Sequence, residues 1–149
     1  MLRYVLGVLM AALVGCGEVT PGDVPAAFAA DVAEFYEVTG ASLPVIIRYG
    51  TLEQPYRGKC LITWETKGTH RYVYRTITID PASEPDTEWR RKALVWHEMA
   101  HCVYKLDHSN DPSNLMYPSD LGDTEPEVLE AYWRDVLHDQ VKALSGGTP

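Results

Sequence analysis

Long hydrophobic runs are missing from this chain. Its longest apolar stretch, residues 4–14, is far shorter than the roughly twenty residues a membrane-crossing helix needs. Cysteine is scarce, at three residues, so stability cannot rest on a dense disulfide scaffold. Cations are in the minority, with 13 Lys and Arg against 21 Asp and Glu and a net charge of -8. No basic stripe is present, which argues against nucleic acid as a partner. There is no internal repeat. What remains is an ordinary soluble composition over 149 residues, long enough for one domain with its own core. A monomer is the expectation.

The N-terminus differs from the rest. A short positive start, Met1-Leu2-Arg3, precedes the apolar residues 4–14. That arrangement predicts a secretory signal peptide over residues 1–15. The ending Leu13-Val14-Gly15-Cys16 resembles a bacterial lipobox. The resemblance implies an exported cell-envelope lipoprotein, held to a membrane by lipid on Cys16. A plain signal peptide with a periplasmic or secreted product is the alternative. Residues 16–22 then form the lipidated end and linker, residues 23–144 the folded domain and residues 145–149 a tail. Removing Cys16 leaves Cys60 and Cys102, and two cysteines in an exported chain invite a disulfide. Free buried thiols, or Cys102 as a metal ligand, are the other readings.

The body alternates elements. Asp23-Val24-Pro25 predicts a helix start with Asp23 as N-cap and Pro25 in the first turn, and Gly40 ends the helix. Strands are expected over residues 44–49 and 60–64. After a turn at 67–69, residues 71–79 alternate as a half-exposed hairpin strand. Asp86 is the expected cap of the next helix. Its apolar stripe is Trp89, Ala93, Trp96, Ala100 and Val103, with Leu94, His97, His101 and Tyr104 on the neighbouring stripe. Residues 109–122 read as loop, and residues 124–144 as a C-terminal amphipathic helix opened by a capping box. His70 and His138 read as surface or core-edge histidines.

Chemistry concentrates in His97-Glu98-Met99-Ala100-His101. On a helix, residues four apart share a face, so H-E-x-x-H aims two imidazoles at one zinc ion. Glu98 lies near enough to reach a water there. A catalytic zinc site needs a third protein ligand from elsewhere. Downstream stand Asp107-His108 and the turn Asn114-Leu115-Met116-Tyr117-Pro118.

With these residues the chain resembles the metzincin clan of zinc endopeptidases, and its matrixin-like group in particular. The family pattern is H-E-x-x-H-x-x-G-x-x-H followed by a Met-turn. The resemblance is carried by residues 93–119 and implies zinc ligands His97, His101 and His108, general base Glu98, and Met116 as the floor under the imidazoles. It also implies an α+β domain: a small twisted sheet packed on an N-terminal helix and a zinc-binding helix, with a Met-turn and a C-terminal helix. The pattern departs at one point, because its glycine falls on Tyr104 and strict counting puts the third ligand at Asp107. A one-residue insertion puts it at His108, and the step from His108 to Met116 is the matrixin one. Glu127 or Glu130 would be the thermolysin-like choice. Without the glycine, a residue near Lys105 must turn left-handed.

The expected activity is peptide-bond hydrolysis with one catalytic zinc and a peptide or protein substrate. By the same resemblance, residues 71–79 are the edge strand on which substrate adds. Tyr104 and Tyr117 stand near enough in sequence to be considered as oxyanion donors, but Tyr117 directly follows Met116, where relatives place a metal-binding Tyr two residues later, and it reads as core or pocket wall. A non-catalytic lipoprotein with a structural zinc, or a zinc hydrolase of cell-wall peptides, are the competing readings.

Overall fold

The computed structural model describes residues 24–82 and 87–118, together with Ala131, Trp133, Arg134, Asp135, Leu137 and Asp139 of the C-terminal segment. The signal peptide, Cys16, the 16–22 linker, Asp23, Asp86, Glu127, Glu130, His138 and the 145–149 tail lie outside the described residues.

The architecture is α+β. A 3-10 turn, Ala26–Phe28, leads into helix α1, Ala29–Thr39. Strand β1 is Ile46–Tyr49, β2 is Gly58–Lys67 and β3 is His70–Ile79. Helix α2, Glu88–Met99, continues as a π-helical turn, Ala100–Tyr104. The six described residues of the C-terminal segment are helical. None of the described helices is long and apolar enough to cross a membrane.

Helix ends follow local chemistry only in part. Gly40 closes α1 in the left-handed conformation (φ 67°), its N–H donating to the Tyr36 carbonyl at 2.9 Å. That role suits a residue without Cβ. Pro25 stands before the helical residues as the cap of a 3-10 turn, not inside a first α-turn. At α2 the capping position falls to Thr87, whose side chain makes no capping bond.

The sheet order is β1-β3-β2. β3 pairs in parallel with β1, Ile47 opposite Ile77, and antiparallel with β2, Cys60 opposite Ile77. This corrects the expectation that residues 71–79 form the edge: β3 is central, and β2 is an edge strand. β3 pairs with β1 on one side over Thr76–Ile79 and with β2 on the other along its whole length, whereas β2 is exposed over most of its length. The alternation in residues 71–79 reports which face is covered and says nothing of which strand lies beside it.

The core lies between the sheet and the two helices. Phe28, Val32 and Phe35 of the first helical segment meet Trp96 of α2, with the Phe35 and Trp96 rings edge-on at 5.8 Å. The indole N–H of Trp96 donates to the Asp31 carbonyl at 2.9 Å. Glu34 of α1 pairs with Lys92 at 2.7 Å and with Arg134, which ties both helices to the C-terminal segment. Cys60 of β2 and Cys102 of the π-turn form a disulfide with a Cα–Cα distance of 5.5 Å. It spans 42 residues of sequence, and a loop of that size contributes about 4 kcal/mol in the loop-entropy account.

Asp31 carries a penalty in this core. Its side chain is buried and Oδ2 has no partner. Burial raises its pKa above the usual carboxylate value, outweighing the attraction of Arg91 and Lys92. A raised folded pKa means that the native state holds this proton to higher pH than the unfolded chain. The contribution to stability is complete below the unfolded value of 3.8 and is lost as pH rises through the folded one. Asp31→Asn therefore raises the melting temperature at pH 7, and that gain disappears near pH 3. Paired thermal melts at the two pH values measure it, and an equal effect at both would refute the assignment.

Candidate metal centre

The site is built by one helical rod and one returning loop. Along the rod Ala93, Trp96, Ala100 and Val103 are buried, while Leu94, His97, His101 and Tyr104 are half-buried on the adjacent stripe. The histidines thus sit at the border between core and cleft. One helical turn apart, their Nε2 atoms approach to 3.0 Å.

The rod then gains one residue. The turn Ala100–Tyr104 is π-helical, and Lys105 ends it in the left-handed region (φ 57°, ψ 35°). The Lys105 N–H donates to His101 O at 3.1 Å, and the Leu106 N–H reaches back to Ala100 O at 3.4 Å. A π-turn holds one residue more than an α-turn. The chain reversal expected at Tyr104 is displaced to Lys105, and the ligand position moves with it from 107 to 108. His108 Nε2 lies 3.1 Å from His101 Nε2 and 3.3 Å from His97 Nε2. Asp107 lines the same cleft, but it is exposed and stands outside the cluster of three nitrogens.

Two backbone carbonyls orient the imidazoles. His97 Nδ1–H donates to Leu115 O at 2.7 Å, and His101 Nδ1–H donates to Leu106 O at 2.5 Å. With the proton on Nδ1, the Nε2 lone pair is directed into the cluster. The residues that orient the ligands are therefore loop residues, which the motif does not contain. Their side chains carry no signal for this role, because the carbonyl does the work.

The loop is closed by its own hydrogen bonds. The Ser109 N–H donates to Met116 O at 2.9 Å, Met116 N–H to Asn114 Oδ1 at 2.8 Å, and Tyr117 N–H to Asn114 O at 3.0 Å. Leu115 and Met116 are buried. The Trp133 indole donates to Ser113 O at 3.1 Å, so the C-terminal segment braces the loop from outside.

Burial pulls His97 down to about 4, against the pull of the Leu115 carbonyl and with added repulsion from His101 and His108. Burial also lowers His101, and His108 adds to it, while the Leu106 carbonyl and Asp107 oppose. Neutral imidazoles are the form that binds metal. Glu98 is buried beside them, and burial raises its carboxyl to about 7 despite a hydrogen bond from the Cys60 backbone. The cleft in front of the cluster has a volume of about 850 Å³. Its walls include Gly58, Cys60 and Ile62 of β2 on one side and Leu115, Tyr117 and Pro118 on the other.

The three histidines lie close enough to bind a metal ion. Their donor set suits zinc: a tetrahedral ion with Zn–N near 2.0 Å needs nitrogens roughly 3.3 Å apart, and those present are 3.0–3.3 Å apart. Tyr104 is placed elsewhere. Its hydroxyl donates to Thr39 O at 3.2 Å and its ring packs on Phe35, so it braces α1 and does not face the cleft. Tyr117 is a cleft wall. His70 is exposed beside the hairpin turn. Gly58, which opens β2 two residues before the expected strand start, packs against Glu98. Comparison with protein-family models, curated proteins and solved structures returned no match to this chain.

Two measurements check this geometry. Metal content, read by atomic emission, falls to background in His108→Ala and stays at the parental level in Asp107→Ala; the reverse pattern would move the third ligand to Asp107. Lys105→Gly removes the left-handed penalty and raises unfolding stability by about 1 kcal/mol. Urea denaturation tests it, and a loss of stability would contradict the turn described.

Proposed function

We propose that this chain is a zinc-dependent endopeptidase of the metzincin type. The observation that carries the reading is the convergence of three imidazole Nε2 atoms at 3.0–3.3 Å in a cleft that the buried Glu98, next in sequence to His97, also lines. A structural zinc site needs neither the cleft nor a carboxyl at the open position, and it is normally closed by a fourth protein ligand. His97, His101 and His108 would hold the ion. When bound, zinc lowers the pKa of water and polarises a carbonyl.

The remaining steps belong to the chain's own groups. A Glu98 Oε atom takes the proton of the attacking water and delivers it to the leaving amine nitrogen. Burial puts the affinity of that carboxyl for a proton near neutrality, which suits a group that must both accept and release one. The β2 edge runs past the cluster, with Gly58, Lys59, Cys60 and Ile62 lining the cleft. An extended peptide laid along it can pair as an added antiparallel strand. Leu94 and Leu115 supply apolar wall for a substrate side chain.

The test is cleavage of an unfolded protein by the purified full chain. Glu98→Gln should retain the metal and lose cleavage by about 100-fold or more. Cleavage at the parental rate in Glu98→Gln, or no cleavage by the parent with metal bound, would rule the reading out.

A further inference from the structure

The Glu98 side chain lines the same cleft as the three histidines, and it is not held there unaided. A buried glutamate has three side-chain torsions, and several staggered arrangements would place its carboxyl elsewhere. The start of β2 removes that freedom. A Cβ on Gly58 would lie 2.7 Å from Glu98 Cγ, 2.8 Å from Oε1 and 3.0 Å from Cδ, and these are its three nearest neighbours. Gly58 is itself buried and pairs with Ile79 inside the sheet. Its φ is not positive, so the backbone there would accept any residue. Only the Glu98 side chain demands glycine.

Two residues along the strand, Cys60 lines the same cleft as Glu98. The Cys60 sulfur is bonded to Cys102, four residues after Glu98 on the same rod. The segment that meets the carboxyl is therefore covalently tied to the helix that carries it. Space at Gly58 receives the Glu98 side chain, and the tether to Cys102 holds the strand in place beside it.

We propose that Gly58, held in place by the Cys60–Cys102 tether, forms a socket that fixes the Glu98 carboxyl in the cleft lined by the three histidines, acting as a positioning residue through its missing side chain. The inference rests on the reading of Glu98 as the proton carrier. A methyl group at position 58 would push the carboxyl aside by an ångström or so, and misplacement on that scale costs roughly 100-fold in rate.

The experiment is a double-mutant cycle on the full chain with zinc: parent, Gly58→Ala, Glu98→Ala, and the pair. Gly58→Ala should lower kcat roughly 100-fold with KM and metal content unchanged. It should also lower the melting temperature by roughly 3–8 °C when Glu98 is present. In the Glu98→Ala background that loss should vanish, because the methyl enters vacated space. An equal melting shift in both backgrounds would overturn the socket, as would an unchanged kcat in Gly58→Ala alongside an active parent. Should the parent cleave no peptide, the proposed activity fails, while the melting cycle still decides whether Gly58 and Glu98 are coupled.

Discussion

One extra residue in a helical rod governs the geometry of this protein. The rod carries His97 and His101 on one stripe, and the third imidazole arrives only after the chain reverses. The π-turn Ala100–Tyr104 and the left-handed Lys105 set where that reversal falls. An α-helical ending would have stopped one residue earlier and pointed Asp107 inward. The same turn carries Cys102, which is bonded to Cys60 of β2. The position of the third imidazole and the chain reversal thus follow from a single local departure from α-helix.

The returning loop satisfies its backbone and orients the site with the same atoms. The Leu106 and Leu115 carbonyls would need partners where the loop packs down, and the Nδ1–H groups of His101 and His97 supply them. Met116 is buried for an ordinary reason, apolar packing, yet its neighbour's carbonyl holds an imidazole. Here the core and the candidate metal centre are one structure. Loosening the loop would release two imidazole orientations along with the packing.

Much of this was legible before folding. The period-3.6 stripes of α2 separate buried Ala93, Trp96 and Ala100 from half-buried His97 and His101, as the structure does. Gly40 marked the end of α1 because a left-handed cap needs no Cβ. The partial reading of β2 had a physical cause. Residues 63–67 of β2 are all exposed, so no alternation between buried and solvent sides marks where the strand ends. Thr87 occupies the capping position of α2 without the bond a cap would make.

Sequence alone determined which residues have the chemistry: three imidazoles, one carboxyl between two of them, two cysteines and a small apolar turn. It did so because helix period and ligand type are local properties. Tertiary structure decided the rest. It chose His108 over Asp107 by the widened turn. It made β3 central and left β2 at an edge by pairing β3 with β1, and it put Gly58 beneath Glu98. Each of these depends on contacts between segments far apart in the chain, where period and composition carry no information about which surfaces meet.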